Sequence, residues 1–165
     1  MLPPCPAPRL CHLTKQPCFD GYGFNLHAER GRPGQFVGLI DEDSPAEDSG
    51  IRRGDRIVEV NGVNVSAENH KDVVERIKTN HSSTTLLVSD YACDTYHREH
   101  GLVVTSFLPY ILHLYSNTAT AEEDDTIITR AGTQCRGAQP GGPAVPEGQV
   151  NPVPLYQDVV DWTHL

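Results

Sequence analysis

The stretch Gly21-Tyr22-Gly23-Phe24 stands at the head of a short segment, Phe24 to Ala28, in which apolar and polar residues alternate. That alternation predicts a half-buried β-strand. Glycines at positions 21 and 23 let the chain turn sharply without a Cβ in the way, which leaves backbone N–H groups of the loop free and converging. Converging N–H groups bind a carboxylate. Beside an open strand edge, such a loop is suited to capture the C-terminus of a polypeptide.

Several other motifs accompany this loop. They are Pro33-Gly34-Gln35-Phe36, Asp43-Ser44-Pro45-Ala46, the run Gly54-Asp55-Arg56-Ile57-Val58-Glu59-Val60-Asn61-Gly62, and a segment of helical period that opens on His70. Together they resemble a PDZ domain, and in detail the PDZ domains of the Na+/H+ exchanger regulatory factor (NHERF) scaffold family, over about Pro8 to Asp90. The resemblance implies an α+β, mainly β fold: a partly open β-barrel of about six strands, capped by two helices.

Two helix starts are visible in the sequence. Ser44 precedes Pro45, and Glu47 follows at the position that completes a capping box. The second helix runs to about Lys78, and either Asn69 or Ser66 can serve as its N-cap.

The chain has 165 residues and a net charge of −9, which is spread unevenly. Residues 1–90 carry 13 acidic and 10 basic side chains (−3), whereas residues 91–165 carry 9 and 3 (−6). A chain without a basic patch is not expected to bind nucleic acid. Five cysteines at irregular spacing argue against a disulfide framework and favour reduced thiols in a cytoplasmic protein.

We divide the chain into four parts: an N-terminal flank (1–7), the PDZ domain (8–90), an extension (91–154) and a tail (155–165). Within the extension, the segment from Cys93 to His100 is a candidate short helix packed on the domain, and the apolar run 102–115 has no clear assignment. Residues 137–154 hold five Pro and four Gly, so the extension is expected to be largely disordered.

The predicted groove lies between the Phe24 strand and the His70 helix. Its expected carboxylate-binding groups are the N–H groups of Tyr22, Gly23 and Phe24, joined by Lys15 acting through water, as the resemblance implies. Its expected apolar pocket consists of Phe24, Leu26, Val74 and Ile77. The alternative for these four side chains is an ordinary hydrophobic core; the loop motif favours the pocket.

The resemblance also implies how the groove selects its ligand. His70 would bond the hydroxyl of a Ser or Thr two residues before the ligand's end, while Asn25 and His27 would contact ligand side chains. Asp41 matches an acidic family position that favours a basic ligand residue three from the end. The chain departs from the family at Gly38, where the usual residue is an Arg that reaches ligand side chains.

The sequence holds no phosphate-binding, nucleophile-elbow or metalloprotease motif, so we expect neither catalysis nor a cofactor. Cys93, His97 and His100 lack a fourth ligand and the usual zinc spacing, so no metal is expected.

The last residues, Thr163-His164-Leu165, are themselves a Ser/Thr-x-hydrophobic terminus. The sequence therefore favours a non-catalytic scaffold that binds Ser/Thr-x-Leu/Val tails of membrane transporters, channels or receptors by strand addition, in the cytoplasm at the membrane cortex. The alternative is a self-associating or autoinhibited form in which Leu165 occupies the chain's own groove.

Overall fold

The computed structural model describes residues 6–116 and 159–165. The elements, in chain order, are β1 (Arg9–Thr14), β2 (Phe24–Glu29), β3 (Arg32–Ile40), α1 (Pro45–Asp48), β4 (Arg56–Val60), β5 (Val63–Asn64), α2 (His70–Lys78), β6 (Ser83–Ser89), α3 (Tyr91–Glu99), β7 (Leu112–Tyr115) and β8 (Val159–His164).

The strands form one mixed sheet in the order β7-β1-β6-β4-β3-β2-β8, with β5 paired to β4. All neighbours are antiparallel except β7, which runs parallel to β1. Strands β1 to β6 and helices α1 and α2 are the predicted elements, and the sheet is left open rather than closed into a full barrel. The predicted fold is therefore confirmed, with one additional strand at each end of the sheet.

Local sequence signals explain where the elements begin. The Asn69 side chain accepts a hydrogen bond from the backbone N–H of Asp72 at 2.9 Å, so Asn69 rather than Ser66 is the N-cap of α2. Ser44 caps α1 by accepting from the N–H of Glu47 at 3.1 Å. Asn61 has a positive φ of 50°, which suits an Asn in the tight turn between β4 and β5.

The main core lies between the sheet and helices α1 and α2. Its buried members include Phe24, Leu26, Val73, Ile77 and Leu165. That Leu165 belongs to this core already indicates that the C-terminus lies inside the domain rather than beside it.

The described part of the extension, residues 91–116, is folded. The expectation that residues 91–154 are largely disordered concerns mainly residues outside the described ones and stays a prediction. Asp90 caps α3 through the N–H of Cys93 at 2.7 Å, and Asp94 on that helix pairs with Arg56 at 3.1 Å. Val104 packs in a second, smaller core with Val58 and Leu87. Residues 117–154 lie outside the described residues.

Strand β7 is the part of the extension that the sequence left unassigned. It pairs with β1, and the Ser116 hydroxyl, just beyond it, accepts a hydrogen bond from the N–H of Thr14 at 2.7 Å. Leu114 packs against the main core, close enough to Gly50 that a Cβ there would lie 2.8 Å from its Cδ1 atom. The edge of β1 is thus covered by the chain itself.

One ion pair is buried. The guanidinium of Arg9 binds the carboxylate of Asp55 and also donates to the carbonyl of Gly50. Burial raises the pKa of Asp55, and the nearby Arg9 charge opposes that shift. The pair links β1 to the turn before β4.

Two further observations bear on the sequence analysis. Cys11 is a free, buried thiol, as expected, whereas Cys18 is disulfide-bonded, so the expectation of reduced thiols is wrong for that residue. In the part of the chain that the structure describes, no helix is long and apolar enough to cross a membrane.

Candidate functional site

The groove between β2 and α2 is filled by β8. β8 runs antiparallel to β2, with Asn25 opposite His164, Leu26 opposite Thr163 and His27 opposite Trp162. β8 therefore extends the sheet beyond β2, which is the geometry of strand addition.

The C-terminal Leu165 lies over the glycine loop. Its oxygen accepts hydrogen bonds from the N–H of Gly23 at 2.8 Å and of Phe24 at 3.3 Å, and its own N–H donates to the carbonyl of Phe24 at 2.9 Å. Gly21 and Gly23 have φ values of 81° and 83°. A Cβ at Gly21 would lie 3.0 Å from the Leu165 carbonyl carbon, so glycine is needed both for the turn and for the close approach.

Tyr22 and Lys15 are the other two residues expected to bind the carboxylate, and the contact through water expected of Lys15 stays a prediction. The Tyr22 ring is buried, and its carbonyl accepts from the N–H of Ala46 at 2.9 Å. The Lys15 ammonium lies 5.4 Å from the centroid of the Tyr22 ring. Within residues 6–116 and 159–165, the hydrogen bonds to the Leu165 oxygen come from Gly23 and Phe24, not from Tyr22 or Lys15.

The side chain of Leu165 enters an apolar pocket and is only 5% exposed. Three expected lining residues, Phe24, Leu26 and Ile77, are fully buried in the same cluster, and Val74 is partly buried against it. Val73, which was not among the expected lining residues, is also fully buried there.

His70, the first residue of α2, contacts the tail at Thr163. Its Nε2 atom lies 2.7 Å from the Thr163 Oγ1 atom, and its Nδ1 atom lies 2.8 Å from Oε1 of Gln35. Burial lowers the pKa of His70 below the ordinary 6.5; the charge of Asp161 opposes this shift, and His27 adds to it. The ring is accordingly neutral near pH 7, with one donor and one acceptor nitrogen.

Asp41 contacts a different tail residue from the one expected. Its Oδ2 atom lies 2.8 Å from Nε2 of His164, the next-to-last residue, rather than near a residue three from the end. Both side chains are about half exposed. Asp41 directly follows β3, and this position brings its carboxylate beside His164 at the end of β8.

Asn25 and His27 face the tail mainly through the backbone of β2. The side chain of His27 bonds Glu29 at 3.0 Å, and Glu29 also binds Arg32 at 2.8 Å. Burial would raise the pKa of Glu29, but the hydrogen bonds from His27 and Arg32 outweigh it and lower the pKa. At Gly38, a Cβ would lie 3.2 Å from Nδ1 of His27, so the missing side chain leaves room for His27.

The histidines of α3 have other partners. The two ring nitrogens of His97 lie 2.8 Å from the carbonyl oxygen of Cys93 and 2.9 Å from the Tyr110 hydroxyl, and His100 stacks on Tyr96. Among the described residues, no cluster of three or more His, Cys, Asp or Glu side chains is arranged to hold a metal ion.

A glycine-turn loop, a β2–α2 groove and a C-terminus seated in it form one arrangement, and comparison with known proteins identifies it. The family model of the PDZ domain matches residues 13–89. The chain carries a PDZ domain. The predicted family is therefore confirmed over the region where the sequence motifs lie.

Relatives of this PDZ domain include the Na(+)/H(+) exchange regulatory cofactor NHE-RF1 of Gallus gallus, 55% identical over 87 residues (52% of this chain, 26% of the relative). NHE-RF2 of Oryctolagus cuniculus is 50% identical over 98 residues (59% and 30%). The cofactor-like protein nrfl-1 of Caenorhabditis elegans is 49% identical over 104 residues (63% and 22%). The matching region thus spans less than a third of each relative.

Among solved structures, a PDZ domain from choanoflagellate SHANK1, described as bound to a GIRK3 peptide, is 30% identical. The match has a TM-score of 0.45 and covers 50% of this chain and 90% of that one.

One residue of the groove escaped the sequence analysis. Gln35 lies in β3 between Gly34 and the buried Phe36, and it is only 4% exposed. A polar side chain at an inward position of a strand is a signal of a buried hydrogen-bond partner. Its partner, His70, is 35 residues away in sequence, so the spacing alone does not reveal it.

Proposed function

We propose that the protein is a non-catalytic scaffold whose PDZ domain captures the C-termini of other proteins ending in Ser/Thr-x-Leu/Val. The observation that carries the proposal is the position of Thr163-His164-Leu165, which lie in the groove between β2 and α2. There the terminal oxygen meets two loop N–H groups, the terminal side chain is buried, and the hydroxyl two residues earlier meets His70.

Each of these contacts requires a chemical feature and not a particular neighbouring sequence. The loop binds any free carboxylate, the pocket fits an aliphatic side chain, and the strand pairing uses only backbone groups. Burial of one Leu or Val contributes about 1.5–3 kcal/mol. A single strand and one buried anchor suit an affinity of about micromolar, or roughly −8 kcal/mol.

The class of partner is proposed from the relatives. Their names describe regulatory cofactors of Na+/H+ exchange, which is a function of membrane transporters. We therefore assign the tails of transporters, channels or receptors as ligands, and the cytoplasmic side of the membrane as the place of action. Asp41, beside His164, further favours a basic residue at the ligand's next-to-last position.

The chain's own C-terminus is a second candidate ligand. The same contacts that support capture of an outside tail support occupancy by Leu165, so the groove would be closed until a partner displaces β8. In this form the protein is an autoinhibited scaffold, and a partner's apparent affinity is its intrinsic affinity multiplied by the fraction of molecules whose groove is open.

Amidation of the ligand's C-terminus tests the capture mechanism. A Thr-x-Leu peptide should bind the chain lacking Thr163-His164-Leu165 as the free acid and fall below detection as the amide, because amidation removes the charge that the N–H groups of Gly23 and Phe24 meet. Isothermal titration with the two peptides measures the difference. Equal binding of both would reject carboxylate capture and leave the groove as a plain strand edge.

A further inference from the structure

Gln35 is a buried polar side chain that bonds His70, the residue that meets Thr163 of the tail. It reaches His70 from β3, on the side of the ring away from Thr163. A polar group so deeply buried retains its place only if its hydrogen bond is made. The question is what this bond does to the other side of the ring.

A neutral imidazole has one N–H donor and one acceptor nitrogen. The Oε1 atom of Gln35 can only accept, so the His70 Nδ1 atom, 2.8 Å away, must carry the proton and donate it. The Nε2 atom is then left with its lone pair, 2.7 Å from the Thr163 Oγ1 atom. The hydroxyl of Thr163 therefore donates to Nε2.

We propose that Gln35 is a positioning residue that holds His70 as its Nδ1–H tautomer and thereby sets the groove's preference for a hydroxyl two residues before the ligand's end. This inference rests on the proposed function and explains its selectivity. A ligand with an apolar side chain at that position leaves the Nε2 lone pair without a donor. A ligand with a carboxylate there brings a second acceptor against it.

The surroundings of His70 give no other group this role. Asp161, on β8, acts on the ring through its charge, and His27, on β2, is bonded to Glu29. Both lie on the strands that a ligand occupies or pairs with. Gln35 belongs to the domain's interior, so its effect on the ring is the same whichever tail is bound.

The tautomer can be read directly. In the full chain, two-bond proton–nitrogen correlation spectra distinguish the protonated from the unprotonated ring nitrogen of His70. We expect a protonated Nδ1 and an unprotonated Nε2. A protonated Nε2 in the native chain would overturn the proposal whether or not any peptide binds.

Two substitutions at Gln35 test its effect. Gln35→Met keeps the length and removes the acceptor, so Nε2–H should become populated. Gln35→Glu keeps an acceptor opposite Nδ1, so Nδ1 should stay protonated and the pKa of His70 should rise. A Thr84→Val variant is the control, because it removes a buried hydroxyl that faces Asn61 and not the groove.

Selectivity gives the second measurement. The affinity ratio of a Thr-x-Leu peptide to a Val-x-Leu peptide does not depend on tail occupancy, since the tail weakens both equally. We expect a ratio of about tenfold for the native chain and Thr84→Val, equivalent to about 1.4 kcal/mol, and about threefold for Gln35→Met.

An unchanged ratio and an unchanged tautomer in Gln35→Met would overturn the role of Gln35 while leaving peptide capture standing. Failure of both peptides to bind any variant after removal of Thr163-His164-Leu165 would instead reject the proposed function, and the nitrogen spectra of the native chain would still decide the tautomer. If Gln35→Met does not fold, Gln35→Glu decides: loss of the Nδ1 proton in that variant contradicts the proposal.

Discussion

Shortening Leu165 should open the groove to outside ligands. Leu165→Ala removes three carbon atoms from a side chain that is only 5% exposed. At about 0.8 kcal/mol per buried CH₂ group, the tail loses about 2.4 kcal/mol of its binding free energy for the groove. The equilibrium constant between the closed and open forms then falls roughly 60-fold. The backbone contacts of Gly23 and Phe24 with the terminus remain, so the tail should be weakened and not abolished.

The size of the gain follows from competition. A tethered ligand typically experiences an effective concentration of about 1 mM. With an intrinsic dissociation constant of about 10 μM, the closed form would be favoured about 100-fold. A 60-fold weaker tail would leave the closed and open forms nearly balanced, so an outside peptide should bind about 40-fold more tightly to Leu165→Ala than to the native chain. Deletion of the last three residues should give the full gain of about 100-fold.

Fluorescence polarisation with one labelled Thr-x-Leu peptide measures the series. Thr163→Val should fall between the native chain and Leu165→Ala, because it removes one hydrogen bond to His70, worth about 0.5–1.5 kcal/mol. Val103→Ala is the matched control, an aliphatic truncation on the extension where the side chain is 71% exposed. It should leave the affinity unchanged.

Equal affinities for the native chain, Leu165→Ala and the deletion would refute occupancy of the groove by the tail. The 42 residues between Ser116 and Val159 (117 to 158) could span at most about 140–150 Å, so closure within one chain is sterically allowed. If the difference in peptide affinity between the deletion and the native chain grows with protein concentration, the tail binds between molecules instead.

Three further outcomes are expected. In the chain lacking Thr163-His164-Leu165, His70→Ala should weaken Thr-x-Leu peptides by about tenfold and Val-x-Leu peptides little, measured by titration calorimetry, and equal losses would contradict its role. Burial in the occupied groove lowers the pKa of His70 below 6.5. Peptide affinity for the tail-deleted chain should therefore be highest above pH 6.5 and weaken as the pH falls through the lowered pKa. An affinity that does not change with pH, or the same pH dependence in His70→Ala, would show that His70 is not the titrating group. Arg9→Ala should lower the free energy of unfolding by about 3–5 kcal/mol in urea titrations, because it leaves the buried Asp55 carboxylate without its guanidinium; a loss below about 1 kcal/mol would mean that the pair is not buried in solution.

The sequence was sufficient for the features that depend on neighbouring residues. The glycine loop, the Ser44 cap and the alternation in β2 are local patterns, and each predicted element that relies on them is present. The periodicity of α2 placed Ile77 and Val74 on the groove side. Local propensity and tertiary packing agree at these positions, so a pattern of a few residues was enough.

Features set by distant packing could not be predicted in the same way. Gln35 becomes a partner of His70 only when β3 and α2 pack together, and Asp41 meets His164 only through the register of β8 on β2. Strand β7 could not be predicted for a related reason. β7 is a strand because it pairs with β1, and its own four residues carry no strong signal.

The two ends of the sheet explain why ligand capture should be confined to one of them. At the β1 edge, β7 is followed by Ser116, which is bonded to β1 through both its hydroxyl and its N–H, and Leu114 packs into the main core. At the β2 edge, the tail is held by backbone pairing, by the buried Leu165 side chain and by the bonds of Thr163 to His70 and of His164 to Asp41, while Trp162 stays exposed. An outside strand with the same kind of terminal residues can make these contacts and exchange with the tail, whereas removing β7 would also uncover core. The glycine loop lies at the exchangeable edge, so the open strand and the carboxylate-binding N–H groups coincide there and nowhere else among the described strands.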